Sequence, residues 1–328
     1  MSQASRNPYS YLAPIQDPKA FFGREEQLRA VCESVAQRSH ISFVGAPRCG
    51  LSSLLNRLMA SPFQAECEAL AGPLQFIHLD CNQFDDPLPL LSYLLAQVAP
   101  GRPVPGVTNW RLLPGPFRSA LDRMRGKRVV ILFDDFEHIG RSRLFVEFID
   151  HLRGVAIEAN MSLITATHEL LYKVCHKDIA SSPFPNIFAV KKVGPFTQAE
   201  CAQFLRATSA ASRVALTPYA AQILSLGGRW PYFLQMACSH YYQAVAGGAK
   251  PDHEAIAAHF VSEAAPHFGH IWQGLEAGEK AILRDLANGK RFPDHRVDDL
   301  VEKGYIIMED KAPQVFSETF GRFVRDSG

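Results

Sequence analysis

The sequence predicts an α/β fold: a parallel sheet with helices on both faces, then a helical segment, then a small unit of helices and one hairpin. Three observations predict it. Between residues 41 and 193, five short apolar runs alternate with helical patterns. Apolar strands separated by helices assemble as a parallel sheet buried on both faces. From about Gly194 the strands stop and helical patterning continues alone. The chain then closes on the order helix, helix, hairpin, helix, which suggests a winged helix.

The elements follow in turn. Residues 1–20 are polar, carry prolines at 8, 14 and 18, and read as an extended lead-in. A helix is expected from about Arg24 to Arg38, because Leu28, Val31, Cys32 and Val35 fall at three- and four-residue spacing. Strands are expected at 41–45, 74–80, 128–135, 161–167 and 186–193, with helices at 51–59, 89–98 and 143–152 and a short one after Pro116. Residues 99–116 hold five prolines and three glycines and read as a loop. Thr197, with Glu200 three residues on, is a capping box for the next helix. Thr217 and Pro218 start another, Gly227-Gly228 end it, and a third begins near Pro231. Helices at 275–287, 295–304 and 318–326 and a hairpin at 305–316 complete the chain. The predicted domains are a core over 21–194, an α-helical lid over 195–270 and a winged-helix domain over 271–328.

A length of 328 residues suits two or three compact units. The net charge of +1 makes no overall electrostatic case for nucleic acid or an anionic membrane. The sequence lacks a run of about 18 apolar residues, so no membrane span is expected, and its first residues do not have the pattern of a secretory leader. Seven dispersed cysteines without a C-x-x-C pair predict reduced thiols in a cytoplasmic protein, not a disulfide framework.

The chemistry is expected around Gly45-Ala46-Pro47-Arg48-Cys49-Gly50-Leu51-Ser52. This loop follows a strand and opens a helix, the context required by the phosphate-binding pattern G-x-x-x-x-G-K-[ST]. Its glycines let backbone N–H groups approach phosphate, and the helix N-terminus favours an anion. Ser52 stands where a hydroxyl ligates Mg²⁺. Leucine stands at 51 where lysine is expected, and Arg48 is the only cation within the loop. The second piece is VVILFDDFE (129–137), an apolar strand ending in acids. Asp134 matches the magnesium-facing acid, and Asp135 stands where a water-activating glutamate would be, one methylene shorter.

With both motifs in order, the chain resembles the STAND/AAA+ P-loop ATPases, a group related to the replication-initiator branch. The resemblance implies a P-loop NTPase sheet followed by an α-helical lid and a winged helix. It implies ATP or ADP as ligand, with Mg²⁺ on Ser52 and Asp134. Phe21-Phe22-Gly23-Arg24-Glu25 is similar to the family segment that encloses the adenine, and Pro231 to the lid proline that packs on the base. Gly45, Pro47, Arg48, Cys49, Gly50, Leu51, Ser52 and Ser53 are the implied phosphate contacts. Thr165 and Thr167 resemble the position that reads the γ-phosphate. Arg229 reads as surface charge, with a sensor-2-like cation as the alternative, and His138, His168 and His176 as solvated or structural histidines without metal-ligand spacing.

The expected function is therefore an ATP- or ADP-binding switch or scaffold, with weak or absent hydrolysis and a protein partner. The alternatives are an active AAA+ ATPase engaging DNA through its winged helix, and a DNA-binding transcriptional regulator. Asp298, Asp299 and Glu302 in the second helix of the winged segment would repel phosphate and weigh against the regulator. His295 and Arg296 open that helix, and the basic pairs Lys127-Arg128, Lys191-Lys192 and Lys290-Arg291 read as solvated charge.

Overall fold

The computed structural model describes residues 7–124, 126–248, 250–290, 297–309 and 312–327. Contacts divide them into two units, one of residues 24–45 and 51–193, the other of residues 7–23, 46–50 and 194–327.

The first unit is built on five parallel strands, β1 His40–Val44, β2 Leu74–Asp80, β3 Arg128–Asp134, β4 Met161–Thr167 and β5 Phe188–Lys192, in the order β2-β3-β4-β1-β5. All five expected strands are present. β3 and β4 are buried at every position, whereas the edge strand β5 is largely exposed. That is why the central runs are mostly apolar. The register sets Asp80 opposite Asp134, Phe133 opposite Thr165 and Val44 opposite Thr167. The helix Pro87–Val98 starts where Asp86 accepts the N–H of Leu88, with proline in its first turn. Its leucines join Ile131, Phe133 and Phe148 in the core on one sheet face.

Two features of this unit were not expected. The helix Ser61–Ala71 fills what sequence reading left as connection. Its Cys67 is joined by a disulfide to Cys32 of the helix Glu25–Ala36, with Cα atoms 4.8 Å apart. This corrects the expectation of seven reduced thiols. The two cysteines are 35 residues apart, and only the packing of their helices brings them together. The other five are free thiols.

The second unit carries the helices Gln198–Ser212, Ala220–Gly227, Pro231–Val245, His253–Gly274, Ala277–Ala287, Asp298–Glu302 and Glu318–Asp326. Thr197 and Glu200 form the expected capping box. β6 (Ile306–Glu309) and β7 (Ala312–Val315) pair antiparallel as the expected hairpin. The 22-residue helix His253–Gly274 contains Pro266 and runs past residue 270. Arg291, His295 and Arg296 lie outside the described residues. The lead-in is built into this unit. Tyr9 is buried and donates to Thr208 Oγ1 at 3.1 Å, and Tyr11 donates to Glu263 at 2.8 Å.

Trp230 anchors the unit. It is fully buried, stacks on Tyr305 at 5.4 Å and lies 5.0 Å from Phe316. Gly228 has φ +60°, and a Cβ there would sit 2.1 Å from the Phe316 carbonyl oxygen. Glycine is thus required both for the left-handed turn and for the close approach. No helix of the described residues is long and apolar enough to cross a membrane.

Candidate functional site

The loop after β1 is shaped by its own backbone. The Gly45 N–H donates to the Thr167 carbonyl at 3.1 Å. Ala46 to Cys49 form a turn closed by Cys49 N–H to Ala46 O at 3.2 Å, with Pro47 second and Arg48 third at φ +68°. Positive φ at the third position of such a turn favours glycine. Arginine there is held against a steric cost of about 1–2 kcal/mol. Gly50 follows at φ +97° and the helix Leu51–Leu58 begins. Cys49 is buried, so its side chain is withdrawn from the loop surface.

The position that departs from the phosphate-loop pattern has a structural use. Leu51 is 8% exposed, and Leu51, Leu54, Leu55 and Leu58 form the buried face of their helix. Arg48, in the second unit, places its guanidinium 4.8 Å from the ring centre of Tyr232. The loop cation is therefore engaged by an aromatic face.

In the first unit the helix after the loop meets the end of β3. Ser52 Oγ donates to Asp134 Oδ1 at 3.3 Å, across 82 residues of sequence. Asp134 is 7% exposed, and His78 Nε2 lies 3.7 Å from its Oδ2. Neighbouring oxygens in an octahedral Mg²⁺ shell are about 2.9 Å apart, from metal–oxygen distances of about 2.0–2.1 Å. The Ser52 and Asp134 oxygens are 3.3 Å apart, so this pair could hold such an ion.

Beyond Asp134 the chain turns sharply. Asp135 has φ +48°, and its carboxylate accepts from Asn82 Nδ2 at 2.7 Å. Burial, reinforced by the neighbouring Asp134, pushes its pKa up. Glu137 is buried; its Oε1 accepts the His168 backbone N–H at 3.2 Å and is hydrogen-bonded to His168 Nδ1. This bond raises the His168 pKa against the effect of burial. Burial alone would raise Glu137, but the hydrogen bond and charge of His168 outweigh it and hold the carboxyl below its ordinary range. His168 is thus paired with a buried carboxylate. His138 faces Asp85 at 3.2 Å, and His176 accepts the Asp178 N–H at 3.3 Å.

The shifts carry a pH signature. The raised His168 contributes stability fully below its ordinary value of 6.5 and loses it as pH rises through its folded value. The lowered Glu137 contributes above its ordinary value of 4.5 and loses it as pH falls through its folded value. Thermal melting in chelator is expected to show the wild type's advantage over Glu137→Gln greatest between those values and shrinking as pH rises through the folded value of His168. An advantage independent of pH counts against the pairing.

The other expected residues have the following surroundings. Thr165 is fully buried, and alternation along β4 puts it on the face of Phe133, not that of Asp134. Its hydroxyl has no partner among the described residues. Thr167 donates to the Glu169 carbonyl at 2.7 Å. Phe22 packs edge-on to Phe204 at 5.4 Å, and Gly23 is buried beside Glu200. Arg24 is 5% exposed at φ +70° and heads its helix. Pro231 is buried in the first turn of its helix, and Ser53 lies in the first turn of the helix after the loop. Arg229 is only half-exposed, with its Nε buried.

His78, Asn82 and the Glu137–His168 pair escaped sequence reading. A signal for the pair existed: His168 directly follows β4, Glu137 follows β3, and parallel neighbours end side by side.

Residues 115–291, more than half of the chain, match the family model described as Novel STAND NTPase 2. The chain belongs to that family. The matched span of this STAND NTPase holds β3, β4 and the acids and His168 that follow them. Among solved structures it is similar to a Walker-type ATPase of Pyrococcus abyssi, at 17% identity and a TM-score of 0.66, over 97% of this chain and 99% of that one. It is similar to the ORC2 protein of Aeropyrum pernix, solved as ADPNP–ADP complexes, at 11% identity and a TM-score of 0.64, over 98% of each chain. The ORC1 protein of Aeropyrum pernix, in complex with DNA, matches at 14% identity and a TM-score of 0.55, over 98% of this chain and 96% of that one. At these identities the likeness is one of fold. No curated protein matches the chain. Family and fold agree on a P-loop NTPase of the STAND/AAA+ type.

Proposed function

We propose that this STAND NTPase binds ATP or ADP as a switch or scaffold, hydrolyses it weakly or not at all, and acts through a protein partner. One observation carries the reading: Ser52 and Asp134 are assembled as a pair, while Leu51 in the lysine position is turned into the core. Backbone amides of the loop from Gly45 to Ser53 take the phosphates, with Arg48 beside them. Phe22, Gly23, Arg24 and Pro231 are the proposed contacts to the base. Ser52 and Asp134 would hold Mg²⁺, which supplies charge neutralisation to bound phosphates. Asp135 is short for a water-activating acid, is tied to Asn82, and has a disfavoured charged form. Both departures lower hydrolysis more than binding. The terminal helices and hairpin are proposed as a winged helix used for packing. Asp298 and Asp299 are exposed on it, which opposes a phosphate backbone.

Equilibrium titration with ADP and ATP, with and without Mg²⁺, tests this. Binding is expected for both, with the Mg²⁺ dependence lost in Ser52→Ala and turnover near background. Absence of binding to either nucleotide sinks the reading; rapid turnover abolished by Asp134→Ala favours an active ATPase.

A further inference from the structure

The ends of β2 and β3 concentrate negative charge. Asp80 stands opposite Asp134 in the register, and Asp135 and Glu137 follow within three residues. Among the described residues, the ion-pair partners of these acids are the histidines His78 and His168, with no lysine or arginine. Three groups converge there. Asp135, Glu137 and His168 each offer one ligand atom, and those atoms lie within 4.8 Å of one another.

The arrangement is held from behind. Asn82 fixes one oxygen of Asp135, and the His168 backbone N–H fixes Oε1 of Glu137. Glu137 is 7% exposed, yet its Oε2 has no hydrogen-bond partner among the described residues. A buried carboxylate oxygen without a donor is costly to maintain. A cation satisfies it where no protein donor does.

We propose that Asp135, Glu137 and His168 form a binding site for a divalent ion of the zinc type, separate from the Ser52–Asp134 pair. The donor set selects the class. Mg²⁺ and Ca²⁺ take oxygen ligands, whereas one imidazole with two carboxylates suits zinc and leaves a coordination position open. The His168 side chain is 40% exposed, which provides an entry path. Binding replaces the Glu137–His168 hydrogen bond with two metal–ligand bonds and releases the proton that it shares. The site does not depend on nucleotide binding.

The test uses the full chain, stripped with chelator and free of nucleotide. It is titrated with Zn²⁺ by calorimetry in excess Mg²⁺, with Co²⁺ as a spectroscopic substitute. One ion per chain is expected, with a Co²⁺ ligand-field band stronger than that of the hydrated ion. Asp135→Asn and His168→Gln should each weaken binding by about tenfold or more, and Ser52→Ala should leave it unchanged. Both ligands are partly exposed, so both variants should fold, which circular dichroism checks; either alone suffices. The proposal is overturned if no stoichiometric ion binds, if the ligand variants bind as tightly as wild type, or if Ser52→Ala removes the ion. That last result would place the ion at Ser52–Asp134.

Discussion

Replacing Leu51 by lysine is expected to raise affinity for ADP and ATP by about 10- to 100-fold. A charge-assisted hydrogen bond to phosphate contributes roughly 1.5–3 kcal/mol, and about 1.4 kcal/mol is tenfold. The loop before it turns at Pro47-Arg48, with Gly50 at φ +97°. The same change should lower the stability of the nucleotide-free protein. Leu51 is 8% exposed beside Leu54 and Leu55, and removing a buried leucine from its apolar contacts costs about 1.5–3 kcal/mol. Lysine can recover part of this by extending its ammonium toward the loop. Calorimetric titration and urea unfolding measure the two effects on one variant. Turnover should remain low, because Asp135 stays short and bound to Asn82. Unchanged affinity would mean that the loop does not receive phosphate.

Trp230→Ala is expected to cost about 3–5 kcal/mol, the range for truncating a large buried aromatic. Its ring is fully buried and stacked on Tyr305, with Phe316 at 5.0 Å and Phe233 at 6.5 Å. These partners flank the hairpin of β6 and β7 and begin the helix Pro231–Val245, so one cavity loosens several elements of the second unit. Trp230→Phe should recover much of the loss. Urea unfolding followed by circular dichroism reads the effect without relying on tryptophan emission. Separate transitions for the two units would be analysed individually. A loss under about 1 kcal/mol would show that the cluster relaxes around the gap.

The strand–helix alternation was legible because each element carries its own pattern. β3 carries the apolar run Val129–Phe133 and β4 is mostly apolar, and the Thr197–Glu200 box announces its helix at short range. Ser52 and Asp134 were legible as partners only through motif order, yet they are hydrogen-bonded in the fold. Other features were hidden by distance. Helix His253–Gly274 is interrupted in sequence by Pro266, which breaks the pattern but not the helix. Gly227-Gly228 read as a helix end, while the close approach to the Phe316 carbonyl depends on a residue 88 positions on in the numbering.

The sequence by itself determined the α/β class, the strand order along the chain, the phosphate-loop context, and the loss of its lysine. These are local properties, set by hydrophobic patterning and by backbone requirements over a few residues. Only the tertiary structure decided what replaced the lost charge and which acids act together. Leu51 belongs to a buried helix face, Arg48 lies over Tyr232, Cys32 is bonded to Cys67, and Glu137 holds His168. Each of these pairings joins groups that sheet order and helix packing bring together, and burial sets the strength of their interaction.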